Sequence, residues 1–204
     1  NQYTADALGT LAKLTSAAGR HPEAAKAYRA LYDAVQSADE RAAAATGYLR
    51  SVKASGDDAA TLAAAAEVEA LADAGATAQR EAKFARATIL RRSGKQAEAL
   101  PLYRELSREV RTAEGAESAY RVIEATLAAG DAAAAEKLIF DFAEKSSPHS
   151  YWVAKGYIAL GDIYAGRADT FQARATYQSI VDGYSPADDG IVSEAKARIE
   201  KLKK

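Results

Sequence analysis

One short pattern recurs along this chain: a glycine, an alanine five residues later, and a large apolar residue four further on. It reads Gly19–Ala24–Tyr28, Gly94–Ala99–Tyr103 and Gly130–Ala135–Ile139, with Gly56–Thr61–Ala65 as a degenerate copy. A fifth copy is anchored by Leu160, Gly161 and Tyr164, followed by Ala173 and Tyr177. From alanine to alanine, with Thr61 standing in for the second copy, the steps are 36 to 38 residues. A period of this length is that of stacked helical repeats, each of which buries its apolar face only against its neighbours. Such arrays present surfaces far more often than they house chemistry.

The composition agrees with helix. About a quarter of the 204 residues are alanine, proline occurs four times, and β-branched or aromatic runs of strand type are missing. The expected fold class is all-α. Helices are expected near 3–18, 22–36, 38–54, 57–74, 77–93, 95–110, 114–129, 131–145, 149–165, 168–184 and 188–203. Gly19, Gly56, Gly94 and Gly130 stand where the chain must turn back, and Asp57 and Asp131 can cap the helices that follow. Pro22 falls in a first turn, where proline costs little. Pro101 falls deeper, and predicts a late start or a kink.

The helices are expected to pair. Ala12, Ala87 and Gly161 on first helices, and Ala24, Ala99, Ala135 and Ala173 on second helices, are the small residues that allow close approach. Tyr28, Tyr103, Ile139 and Tyr177 would fill the space toward the next pair. Near the end, Ile191, Ala195, Ile199 and Leu202 form an apolar stripe, while Glu194, Lys196, Arg198, Lys201, Lys203 and Lys204 lie off it. That is the pattern of a capping helix.

These residues resemble the tetratricopeptide repeat. The clearest copy is Tyr157, Leu160, Gly161, Tyr164, Ala173, Tyr177 and Ile180, closed by Pro186, and the first is Leu8, Leu11, Ala12, Ala24, Tyr28 and Leu31. The resemblance implies a right-handed superhelical array of antiparallel helix pairs. Its repeats would span 3–37, 38–75, 76–112, 113–146 and 149–186, with a cap at 188–203, as one α-solenoid over 1–204 that forms the C-terminal part of a longer array. The stretches Ser147–Trp152, Gly161–Tyr164 and Asp169–Ala173 are similar to the C-terminal end of large tetratricopeptide proteins of the Bacteroidetes envelope. That similarity implies a periplasmic or outer-membrane-associated setting, with a cytoplasmic one as the alternative.

In this family the first helix of each pair lines a concave groove. The register puts Lys13, Arg50, Lys53, Phe84, Thr88, Arg91, Tyr120 and Glu124 there. The first three units supply mostly basic residues and the fourth a mixture, which suits an acidic peptide. Trp152, with Tyr151, Tyr157 and Tyr164, is the densest aromatic cluster: an anchor for a partner, or packing between the fourth and fifth units. The asparagine clamp of chaperone-binding relatives has no counterpart, because no asparagine follows Asn1.

Little here points to catalysis. Cysteine is absent, so thiolate chemistry, disulfides and cysteine-based metal sites are excluded. His21 and His149 lack partners at metal or catalytic spacing, and no phosphate-binding loop or nucleophile elbow occurs. A net charge of −1 argues against nucleic acid as the main ligand. No apolar run is long enough to span a bilayer. The expectation is a scaffold, not an enzyme, that binds a protein or peptide without a cofactor and in which the open first repeat face allows self-association. A structural spacer in a long array is one alternative. Another is an outer-membrane assembly component, whose lipidated cysteine would have to lie upstream.

Overall fold

The computed structural model describes residues 2–186 and 188–202, which are all-helical, with no strand among them. The helices are α1 (Gln2–Ala17), α2 (His21–Ala34), α3 (Ala38–Ala54), α4 (Asp58–Ala70), α5 (Gly75–Arg92) and α6 (Gln96–Leu106). Then follow α7 (Ala113–Ala128), α8 (Ala132–Glu144), α9 (Ser150–Gly166), α10 (Thr170–Gly183) and α11 (Ile191–Lys201). A short 3-10 turn, Ala72–Ala74, joins α4 to α5. The chain divides into two compact units, 1–102 and 103–204, with the boundary inside α6.

A single turn geometry recurs five times and sets the order of the helices. At each copy, one residue with positive φ ends a helix. Its N–H donates to the carbonyl three residues back, and the next N–H donates to the carbonyl five back. Gly19 and Arg20, Gly56 and Asp57, Gly94 and Lys95, Gly130 and Asp131, and Ala168 and Asp169 all do so. This doubly bonded cap satisfies carbonyls that the helix leaves open and reverses the chain within a few residues. Four copies use glycine, for which positive φ carries no penalty. The fifth places Ala168 at φ 61°, where its Cβ crowds the backbone.

Side chains then start the next helix. The Asp57, Asp131 and Asp169 carboxylates accept from the backbone N–H of Ala60, Ala134 and Gln172 at 2.9, 2.9 and 3.0 Å. Ser37 and Thr112 cap α3 and α7 in the same way.

In the first unit, α1 packs on α2, α2 on α3, α3 on α4 and α4 on α5, with α3 also touching α5. Its core joins Leu49, Val52, Ala64, Ala65, Val68, Ala78 and Ala82, with Tyr32 and Tyr48 against them. Small residues dominate because the helices approach closely. Ala12, Ala24, Ala87 and Ala99 are fully buried, as the spacing predicts. Gly47 is a further case that the spacing does not reveal: a Cβ there would lie 2.3 Å from the half-buried Tyr28 ring.

In the second unit, α7 packs on α8, α8 on α9, α7 on α9, α9 on α10, and α11 on both α9 and α10. One cluster centres on Ile123, Ile139, Phe142, Leu160 and Ile163, the other on Ile158, Tyr177, Ile180, Ile191 and Ala195. Ala135 and Ala173 are fully buried, and Tyr177 is 1% exposed. A Cβ at Gly161 would come 2.3 Å from the Tyr177 ring, so glycine is required there for the tyrosine to lie across α9. The Tyr177 hydroxyl donates to Asp162 Oδ1 at 2.6 Å.

Several boundaries differ from those expected. The 57–74 helix is two pieces, α4 and the 3-10 turn, because Leu71 takes an extended conformation. The 95–110 helix stops at Leu106. Carbonyls of Leu106 and Glu109 abut Gly115 of α7, where a Cβ would fall 2.1 Å from the Glu109 oxygen, so the chain turns early to let α7 in. Pro101 sits inside α6, which starts at Gln96 and lacks the bond Pro101 would have donated to Ala97. Asp169 delays α10 to Thr170, and α11 starts at Ile191 after Gly190, whose φ is 86°. Lys203 and Lys204 of the expected cap, and Asn1, lie outside the described residues.

Candidate functional site

The first unit carries six of the eight expected groove residues. Lys13 lines a depression between α1 and α3 with Asp6, Gly9, Tyr28 and Glu40. Arg50 lines a second depression, between α3 and α5, with Asp39, Thr46, Asp73 and Thr77. Ala43 borders both, so the two open side by side. Lys53 is exposed one turn beyond Arg50, and Phe84, Thr88 and Arg91 are half-buried along α5.

The basic character expected of this face is weaker than the residue types imply. Arg50 forms a two-point ion pair with Glu81 of α5, at 2.7 and 2.8 Å. That hydrogen bond is the main reason its guanidinium is held above the ordinary arginine range, against the opposing effect of burial. Glu81 was not among the groove residues read from the sequence, and it answers the charge that an acidic ligand would otherwise meet.

On the opposite helices of this unit, Arg29 of α2 reaches Glu67 of α4 at 2.9 and 2.7 Å. Its guanidinium also lies 4.2 Å from the centre of the Tyr48 ring and 5.4 Å from that of Tyr32. The Glu67 hydrogen bond again leads in raising its pKa. A planar cation held by a carboxylate on one side and an aromatic face on the other locks α2, α3 and α4 together.

In the second unit, α7 and α9 bring aromatic residues together. Tyr120 and Trp152 have ring centres 5.6 Å apart at an interplanar angle of 31°. Tyr151 meets Trp152 edge-on at 4.9 Å. The Arg121 guanidinium lies 5.6 Å from the Tyr120 ring and 5.2 Å from that of Trp152, and Lys155 Nζ lies 5.8 Å from Tyr120. These rings and cations form one continuous patch. Trp152 and Tyr120 are half-buried, and the Tyr151 ring is 36% exposed.

Carboxylates complete the patch. Arg121 donates to Glu117 at 2.9 Å and to Glu124 at 3.2 Å. Lys155 donates to Glu194 of α11 at 2.9 Å, and Glu194 is also 3.6 Å from Arg198. Burial works against the charges on Arg121 and Lys155. The hydrogen bonds they donate to Glu117 and Glu194, with the attraction of neighbouring carboxylates, outweigh it, so both stay above their ordinary ranges. Burial also raises the Tyr120 phenol, with Glu124 adding to the shift and Lys155 opposing it.

Of the expected groove residues, Tyr120 and Glu124 therefore meet around Arg121. Trp152 belongs both to this patch and to the rim of the α7–α9 core, where Tyr157 and Tyr164 also pack. Arg121 and Lys155 are absent from the residues expected to bind, and Glu194 stands there only as a polar residue of the capping helix. The spacing of Glu117, Arg121 and Glu124 was readable, being one helical turn on each side. The Lys155–Glu194 pair, 39 residues apart, was not. His149 precedes α9 and its ring nitrogen lies 3.1 Å from the Arg111 carbonyl, while the Ser147 hydroxyl donates to the Val110 carbonyl at 2.6 Å. Both tie the start of α9 to the turn before α7. Among the described residues, no helix is long and apolar enough to cross a membrane.

No family model matches this chain, and no curated protein does. Among solved structures, the chain is similar to the crystal structure of BtubC (BKLC) from P. vanneervenii, with a TM-score of 0.56 and 13% identity. The match covers 99% of this chain and 89% of that one. At that identity the likeness bears on the fold alone.

Proposed function

We propose that this chain is a tetratricopeptide-like helical repeat module that holds a protein or peptide partner, without catalysis, on the face formed by its first helices. The observation that carries the reading is the patch of Tyr120, Tyr151 and Trp152 threaded by Arg121 and Lys155. Tyrosine, tryptophan and arginine are the residues that most often dominate binding energy at protein interfaces. Here Arg121 is fixed by ion pairs to Glu117 and Glu124 and lies against the Tyr120 and Trp152 rings, so a partner would have less to order. The five recurrent helix turns and the small residues buried at repeat spacing support the solenoid reading.

The patch favours a partner with an apolar or aromatic anchor over a strongly acidic one, because Arg121 and Lys155 already have carboxylates. The resemblance of the last third to envelope proteins makes the periplasmic face of an outer membrane the proposed setting. The test is to tag the protein in its host, recover the partner, and measure its affinity for wild type and Trp152→Ala. Loss of an anchoring tryptophan is expected to weaken binding by about 2 kcal/mol or more, roughly thirtyfold. Unchanged affinity would remove this patch from the interface.

One observation favours a second reading, that of a structural spacer. The same ion pairs bridge helices one repeat apart, as in Arg29–Glu67, Arg50–Glu81, Lys155–Glu194 and Arg198–Asp162. Under that reading they serve only to hold neighbouring hairpins in register, and no partner would depend on Trp152.

A further inference from the structure

We propose that the cavity between the start of α9 and the end of α10 is a binding site for a small, uncharged aromatic molecule that carries a hydrogen-bond donor. The Trp152 patch plays no part in it.

The cavity lies within the second unit and measures about 340 Å³. That is the lower end of the range, about 300–1,000 Å³, in which proteins hold small organic molecules. Ala154 and Ile180 form its buried part, and the half-buried Val153, Tyr157 and Tyr184 its flanks. Its origin is readable in the recurrent register. Counting back from Ala173 to Ala135, Val153 falls on Gly115 of α7. A Cβ at Gly115 would lie 2.1 Å from the Glu109 oxygen and 2.9 Å from that of Leu106, so the start of α7 is closed by direct backbone contact. Valine forbids that approach, and the start of α9 is left with a cavity beside it. Gly183 adds to the room, since a Cβ there would meet nothing within 4 Å.

The lining selects the ligand. Among the described residues, no charged side chain lines the cavity, so an ion entering it would lose water and gain no counter-charge from the lining. The rings of Tyr157 and Tyr184 favour an aromatic body. Four of the five hydroxyls on the lining have already committed their hydrogens. Ser147 donates to the Val110 carbonyl at 2.6 Å, Ser179 to the Thr176 carbonyl at 2.7 Å, and Tyr184 to Asp189. The Ser150 hydroxyl opposes the rise in the Tyr184 pKa, as a donor to its oxygen does. A hydroxyl whose hydrogen is used can only accept, so these oxygens call for a donor on the ligand.

Indole is the probe, being aromatic and uncharged with a single N–H donor. Benzofuran has the same outline with an oxygen in place of the N–H, and indole-3-carboxylate adds a charge. Backbone amide shifts of the labelled protein read the binding. Indole is expected to give saturable shifts at the start of α9 and the end of α10, with a Kd of about 1 mM or tighter. Benzofuran is expected to bind at least about threefold more weakly, and indole-3-carboxylate at least about tenfold. Gly183→Leu, which sets a side chain into the cavity, is expected to leave no saturable indole shift. Gly166→Leu, at the end of α9 and also with nothing within 4 Å of its Cβ, is expected to leave the affinity unchanged to within about twofold. Should Gly183→Leu fail to fold, the three probes on wild type decide alone. The absence of saturable indole shifts up to about 5 mM overturns the proposal. So do shifts centred elsewhere, benzofuran or indole-3-carboxylate binding as tightly as indole, or a folded Gly183→Leu that binds as wild type does.

Discussion

Ala168 occupies, in the fifth turn, the place that glycine holds in the other four, and replacing it by glycine should stabilise the protein. Its φ of 61° costs an L-residue roughly 1–2 kcal/mol. Glycine would remove that cost but would lose about 0.5–1 kcal/mol through the greater freedom of the unfolded chain. The net expectation for Ala168→Gly is a gain of about 0.5–1 kcal/mol. The turn's hydrogen bonds are already those of the glycine copies: Ala168 N–H to Ala165 at 3.0 Å and Asp169 N–H to Tyr164 at 3.0 Å, against 2.9 and 3.2 Å at Gly130 and Asp131. No contact is therefore gained or lost. The reverse change, Gly130→Ala, is the matched control. A Cβ there meets nothing within 4 Å, so backbone strain alone decides its effect, an expected loss of similar size. Urea unfolding followed by helical circular dichroism measures both, and in melts the shifts should be about 1–4 °C in opposite directions. A destabilised Ala168→Gly, or a neutral Gly130→Ala, would refute the reasoning.

Other outcomes follow from the same structure. Tyr177→Ala should cost about 3–5 kcal/mol in urea titration, since the ring is fully buried and lies across a glycine that no other side chain can fill. Gly115→Ala should cost about 1–3 kcal/mol despite alanine's better helix propensity, because its Cβ meets the fixed backbone carbonyl of Glu109; unchanged stability would mean that α7 slides at little cost. Burial, helped by hydrogen bonds to Asp162 and Asp189, raises the Tyr177 phenol and pushes Tyr184 up to about 12. A folded pKa above the unfolded value near 10 gives stability that is complete below pH 10 and lost as pH rises through the folded pKa. Unfolding in alkali should therefore begin above about pH 10, and in Asp162→Asn, where the Tyr177 phenol is raised less, stability should fall less between neutral pH and alkali than in wild type; an unchanged pH dependence in that variant would dissociate the pair from alkaline stability.

Much of the helical order was legible because its signals are local. Gly19, Gly56, Gly94 and Gly130 mark turns whose hydrogen bonds span only a few residues, and alanines at 36–38-residue spacing mark the fully buried positions. What escaped depends on neighbours distant in sequence. Ala168 adopts a glycine-like conformation with no glycine to announce it. Gly47 and Gly115 look like ordinary helix residues until Tyr28 and the Glu109 carbonyl are seen against them. The early end of α6 has the same origin. For the candidate site, residue types along the first helices were readable, but their charge state as a group was not. Glu81 lies 31 residues from Arg50 and Glu194 lies 39 from Lys155, so the balance of the face is visible only once the helices are packed. Trp152 joins Tyr120 for the same reason.

The most direct test of the scaffold reading is a photo-activated cross-linker placed at Tyr151, at the rim of the aromatic patch, and separately at the exposed Arg174 of α10. The account predicts one discrete adduct from position 151 in host cells, lost when Trp152→Ala is added, and none from position 174. No adduct from 151, or the same adducts from both positions regardless of Trp152, would contradict it and leave the chain as a spacer.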